Sequence, residues 1–329
     1  MKNKIVVLTI VLLAVSLSSV YAGNTRRIGT AGAQELLIPY GSRGTAMGGA
    51  ILADVSGVEA MYWNPAGLAS LEGTEAMFTH LPYIADIDMN FVGIATYIDG
   101  FGSLGLGAKV VSIGEIEETT EDYPDGTGRV FEPSLTVINV SYARILTANV
   151  SFGFSGMFIN EDIFEAKATG FAFDVGFIYD PRWRGVKVGL AIKNYGPEMT
   201  FSGRGFEREL LNRQASPNGA PFDLPSSINM GMMYDFVDNG PHVATIAGNF
   251  RSNNYQEDMW QGGMEYVYNE LYSLRAGYNF SNQDDYIYGL SLGAGLVYEL
   301  GSTKLAFEYS WTETEVFDDN QYFTVRVNF

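Results

Sequence analysis

Cysteine is absent from the 329-residue chain. That excludes disulfides, thiolate metal sites, cysteine nucleophiles and a lipidated amino-terminal cysteine. Histidine is nearly absent. His80 and His242 are the only two, and neither stands in a metal-ligand or nucleophile-elbow spacing. The glycine-rich run at 102–107 reads as a barrel strand, with no helix after it to cradle a phosphate. These gaps point away from an enzyme and require no cofactor and no metal. Basic residues are scarce too, with 20 Lys and Arg against 38 Asp and Glu for a net charge of −18. A nucleic-acid partner needs clustered positive charge, so that class is excluded. No apolar stretch after the amino-terminal leader approaches the roughly 20 residues of a membrane-spanning helix.

What is present begins with that leader. Lys2 and Lys4 flank the start of an apolar run at 5–17, and Val20 and Ala22 occupy the −3 and −1 positions of a cleavage site. Residues 1–22 read as a secretory signal peptide cleaved after Ala22. Beyond it, aromatic residues and glycine are plentiful: 20 Tyr, 21 Phe and 38 Gly. An exported chain without disulfides needs another large stabilising device, and a long hydrogen-bonded sheet in a membrane supplies one.

From residue 74 onward, alternation of period two runs through about fourteen segments of roughly ten residues. Phe171, Phe173, Val175, Phe177 and Tyr179 share one face, with Asp174 and Gly176 opposite. In the segment 286–300, Tyr286, Tyr288, Leu290, Leu292, Ala294, Leu296, Tyr298 and Leu300 share a face. The apolar faces are rich in Tyr, Phe and Trp at segment ends, as in the aromatic girdles of a lipid-facing wall. The opposite faces carry Gly, Ser and isolated charges such as Lys109, Glu265, Arg275, Glu308 and Arg326, which suits a polar lumen. Every second connection is a tight turn. Those between are mostly longer, at 114–130, 161–167, 196–224, 252–257 and 314–319. The expectation is an all-β transmembrane antiparallel barrel of about fourteen strands at 74–329, lodged in the bacterial outer membrane. Its last strand places Phe323, Val325, Val327 and Phe329 on one face. An alternating final strand ending in Phe resembles the signal that the barrel assembly machinery reads.

Residues 23–73 do not alternate. Gly41, Gly44, Gly48 and Gly49 crowd one region, short helices fit 47–52 and 58–62, and residues 64–67 read Asn-Pro-Ala-Gly, a turn. Such a segment fits a plug for a lumen too wide for wall side chains to fill. Here the sequence resembles a known family. The runs SRGTAMGGA at 42–50, AD at 53–54 and EAMYWNPAGLA at 59–69 look like the opening of PorV/PorQ proteins, relatives of FadL-like barrels. The run NYGPEMTFSG at 194–203 looks like that family's long mid-barrel loop. Gly44, Met47, Gly48, Gly49, Asn64, Pro65 and Gly67 carry the plug motif. The resemblance implies a fourteen-stranded barrel with an amino-terminal plug. In the PorV branch, external loops and lumen engage exported cargo and partner subunits of type IX secretion. In the FadL branch the same architecture passes hydrophobic small molecules.

Two loops stand out. Glu115, Glu117, Glu118, Glu121, Asp122 and Asp125 crowd one beside Arg129, without the ordered spacing of a calcium loop, and read as a solvated acidic loop. The loop at 196–224 combines several prolines with Phe201, Arg204, Phe206, Arg208, Arg213 and Phe222. Phe and Arg held by proline are good interface anchors, so these six are the candidate partner-binding residues.

Overall fold

A computed structural model describes residues 28–84, 87–206, 208–210, 213–215, 218–283 and 286–329; of residues 207–217 the side chains are not described. The leader and its cleavage site lie outside the described residues. The fold is a closed antiparallel barrel of fourteen strands. They are β1 Thr74–Pro82, β2 Asp88–Ile98, β3 Gly102–Ser112, β4 Ser134–Thr147 and β5 Val150–Ile163. Next come β6 Ala166–Tyr179, β7 Val186–Tyr195, β8 Ser227–Asn239, β9 His242–Asn253 and β10 Met259–Tyr268. The circuit ends with β11 Tyr272–Ser281, β12 Tyr288–Leu300, β13 Thr303–Thr314 and β14 Asn320–Asn328. Each strand pairs with its sequence neighbour, and β1 closes on β14 from Glu75↔Asn328 to His80↔Phe323.

The physical cause of the alternation is visible in burial. Phe78, Val92, Ile94, Leu106, Met264 and Leu274 face outward and are exposed, while Glu75, Lys109, Asp174, Glu265, Arg275 and Glu308 face the lumen and are buried. A lipid solvent outside and a packed polar interior inside fix the register, because a one-residue slip would exchange the two faces. Exposed Tyr97, Tyr179, Tyr234, Tyr268, Tyr272 and Tyr298 stand near the short-turn end of the wall, where an aromatic girdle is expected. In outer-membrane barrels generally, short turns mark the periplasmic end and long loops the external end.

Two local expectations are corrected. The connection at 161–167 is no long loop: β5 and β6 run on to a two-residue turn at Phe164 and Glu165, with Phe164 at φ 54°. Tyr286 and Tyr288 do not join the lipid face of Leu290 and Leu292. A bulge shifts the β12–β13 register between Tyr288 and Ser291, and an extra residue reverses the alternation, so both tyrosines line the interior.

The plug runs through the lumen as a 3-10 turn Gln34–Leu37, helix α1 Ser42–Ala46, helix α2 Ala60–Trp63 and a 3-10 helix Pro65–Ser70. Asn64 caps the last of these, its Oδ1 accepting from Ala66 N–H at 3.2 Å, and Pro65 supplies a first helical residue with no N–H to satisfy. After α1 the chain turns at Gly48 and Gly49, with φ 61° and 81°, a region that side chains with a Cβ enter at a cost. The hydrophobic core of the molecule is the seam between plug and wall, where Tyr40, Val58, Met61 and Leu68 meet Met77, Met89 and Phe91.

Candidate functional site: the pinned plug and the cavity beside it

Helix α1 holds the plug by charge. The Arg43 Nε donates to both carboxylate oxygens of Glu265 on β10, at 3.0 and 3.2 Å, and Nη2 reaches Asp54 Oδ2 at 2.7 Å. From Glu265 the ion pairs continue through Arg275 at 2.6 Å and Glu308 at 2.8 Å to Arg326 at 2.9 Å. On the other side, Lys187 on β7 donates to Asp54 Oδ1 at 2.5 Å. Plug residues thus tie two separate wall strands, β7 and β10, to one cluster of charges. Ser42 N–H donates to Thr324 Oγ1 at 3.1 Å, and Val58 N–H donates to Glu75 Oε1 at 2.6 Å. Both contacts land on the strands that close the barrel.

Glu59 is a buried acid of the plug, 1 % exposed, and its Oε1 accepts from Gly44 N–H at 2.7 Å and Trp63 Nε1 at 3.3 Å. Burial, then the charge of Glu308, pushes its pKa up from 4.5 to about 7, with Arg326 opposing. Across that window the folded plug holds a proton that the unfolded chain has released, so its stability falls as pH rises from 4.5 through about 7. Protease protection of the plug is therefore expected to weaken between about pH 5 and about pH 8, and Glu59→Gln to flatten that profile. A wild-type profile already flat over the same range would overturn the assignment.

Beside the plug, in the long-loop half of the lumen, lies a cavity of about 390 Å³. Its lining is mostly apolar and aromatic: Leu37, Ile38, Tyr62, Val111, Leu135, Met259 and the phenols of Tyr83, Tyr255, Tyr286 and Tyr288. The Tyr83 and Tyr288 hydroxyls bond each other at 3.0 Å, and Arg251, the one cation of the lining, donates from Nε to Asn229 Oδ1 at 2.7 Å. A second cavity of about 200 Å³ sits at the short-turn end, lined by Arg43, Glu265, Arg275 and Tyr272. Helix α1 stands between the two, with Thr45 lining the first and Arg43 the second, and the ionic ladder lines the second.

The plug-motif residues form one packed unit. Met47 is buried, a methyl group at Gly44 would overlap the Trp63 indole, and one at Gly67 would overlap the Val55 carbonyl. Asn64 Nδ2 donates to the Leu52 carbonyl at 2.9 Å and to the Phe177 carbonyl of β6 at 3.2 Å. The candidate loop residues are divided. Phe201 and Phe222 pack on each other, with ring centroids 5.5 Å apart, over a core of Ile159, Met199 and Leu224 that closes the wall above β7. Arg204 is exposed beside Glu165, Phe206 is half-buried, and Arg208 and Arg213 lie in a small ribbon of Arg208–Leu210 with Arg213–Ala215. On β14, Phe323 and Phe329 are exposed on the outer side.

The family model described as type IX secretion system protein PorV matches residues 21–237. The chain belongs to the PorV family. Solved structures with the same fold as this PorV-family barrel include the CymD monoaromatic hydrocarbon channel, at TM-score 0.56 and 14% identity over 88% of this chain and 97% of that one. The Pseudomonas putida toluene transporter TodX matches at 0.55 and 16% identity, over 88% and 96%. A Pseudomonas aeruginosa FadL homologue matches at 0.54 and 12%, over 89% and 98%. No curated protein matches the chain. Arg43, Asp54 and Glu59 lie in the runs at 42–50, 53–54 and 59–69, yet the sequence alone assigns them no role, nor the phenols of the cavity. Charges isolated in a plug of small and apolar residues were the available signal.

Proposed function

We propose that this outer-membrane PorV-family barrel is a non-enzymatic component of type IX secretion that engages exported cargo or partner subunits at its long-loop end. The observation that carries the reading is the pinned plug. With the lumen filled and tied to the wall by Arg43, Asp54 and Ser42, the surfaces left for a partner are the external loops and the cavity beside them. Outer-membrane lipid surrounds the wall, and the barrel assembly machinery receives the strand that carries Phe323, Val325, Val327 and Phe329. After detergent extraction, exported proteins sharing a carboxy-terminal domain should co-purify. Deleting residues 203–220 should abolish that capture while the barrel keeps its heat-dependent gel shift. Unchanged capture would clear the loop of the role.

The cavity favours a second reading, a channel for hydrophobic small molecules, since about 390 Å³ of mostly apolar lining is within the size range of small-ligand pockets. Fatty acids or hydrocarbons extracted from the purified barrel, without cargo, would select it.

A further inference from the structure

The turn between β6 and β7 differs from the other short turns. It spans residues 180–185, and Arg182, Arg184 and Gly185 all take left-handed backbone angles, at φ 54°, 53° and 68°. Two consecutive-but-one arginines in that region are uncommon and need a reason. The turn is braced. Asp180 N–H donates to the Asn149 carbonyl at 2.8 Å, Asn149 Nδ2 returns to the Asp180 carbonyl at 2.6 Å, and Val186 N–H donates to the Trp183 carbonyl at 3.2 Å. What the bracing presents is Arg182, Trp183 and Arg184, all exposed, with the Arg184 guanidinium 5.5 Å from the Trp183 ring centroid. Asp180, the acid of the turn, spends its Oδ1 on the Arg182 N–H at 2.7 Å. Among the described residues neither guanidinium makes an ion pair. In a chain of net charge −18, a rigid turn keeps two free cations and an indole at the level just beyond the girdle residue Tyr179.

We propose that this turn is a binding site for the phosphate of an anionic glycerophospholipid in the leaflet at the short-turn end. Guanidinium groups pair with phosphate oxygens in a fork geometry that ammonium groups lack, and indole favours the headgroup boundary. A polar surface turn would gain nothing from holding Trp183 in water, whereas a headgroup layer covers it. Charge complementarity and position select the lipid.

Native mass spectrometry of the purified barrel in detergent tests the site, with dioleoyl phosphatidylglycerol as probe and dioleoyl phosphatidylcholine as the zwitterionic comparison. The wild type should retain phosphatidylglycerol by roughly thirtyfold over phosphatidylcholine, the scale expected of two arginines at an anionic surface. Arg182→Gln combined with Arg184→Gln should bring the two lipids to equal retention, with the heat-dependent gel shift preserved as proof of folding. Undiminished preference in the double variant would overturn the assignment. Displacement of the lipid by millimolar inorganic phosphate would overturn it too, since the site would then be for the free anion. In vesicles of brominated phosphatidylglycerol, the emission lost between wild type and Trp183→Phe should be the quenched part; an unquenched Trp183 contradicts the proposal.

Discussion

Gly277→Val should free the plug while leaving the barrel standing. Gly277 faces the lumen from β11, paired with Gly263 on β10 and Ser291 on β12. A methyl group built on it would overlap the backbone of Met47 and Gly48, and one at Gly263 would meet the Met47 carbonyl at 2.6 Å. Backbone lies on backbone here, so no side chain can swing away to make room. Overpacking a core typically costs about 1–3 kcal/mol when side chains can adjust. At this position the plug itself has to move, which breaks the Asn249 Nδ2 bond to the Gly49 carbonyl at 2.6 Å and pulls on Arg43. Valine suits a strand, so the wall loses nothing of its own. The expected result in a planar bilayer is a persistent conductance where the wild type shows little, with the heat-dependent gel shift retained. Gly262→Val supplies the control, since Gly262 points outward with nothing near its Cβ position. A Gly277→Val barrel as quiet as that control would mean the plug tolerates the intrusion.

Arg43→Ala is expected to loosen the plug by a different route. Among the described residues the guanidinium is the single group that touches both Asp54 of the plug and Glu265 of the wall, and its side chain is 14% exposed. Removing one partner of a buried pair costs about 3–5 kcal/mol, because the charges left behind stay desolvated. Glu265 keeps Arg275 and Asp54 keeps Lys187, so the lower end of that range applies. Limited proteolysis of the folded barrel reads the effect as faster cleavage within the plug. Arg43→Lys should recover only part of the protection, since an ammonium cannot reach both carboxylates in the forked arrangement. Equal cleavage rates for wild type and Arg43→Ala would show that packing, and not the ionic ladder, seats the plug.

These two residues also mark the limit of what the sequence tells. Strands such as β8 and β11 are legible because lipid on one face and lumen on the other impose a period that local reading detects. The plug is legible as an exception to that period, and Asn64-Pro65 as a turn that starts a helix. Register defects are not. The bulge between Tyr288 and Ser291 leaves a run that still looks regular, and only the pairing with β13 reveals that Tyr286 and Tyr288 turn inward. Nor is the partner of Arg43 legible, since Glu265 lies 222 residues away and several other buried acids compete for it. Phe201 and Phe222 make the same point for the long loop. Their spacing suits exposed anchors, while closure of the wall above β7 draws them together.

The lumenal glycines of the wall are the plug's imprint. Where Pro65, Asn64, Leu52 and Met47 press outward, Gly153, Gly176, Gly189 and Gly277 have no side chain to offer. Cylinder and filling are therefore cast from a single mould, and neither can be exchanged alone. Grafting a plug from a relative would set its bulges against the wrong hollows. An engineer wanting an empty pore would inherit patches of bare backbone beside Glu265, Arg275 and Glu308, and would have to rewrite the inner face along with the deletion.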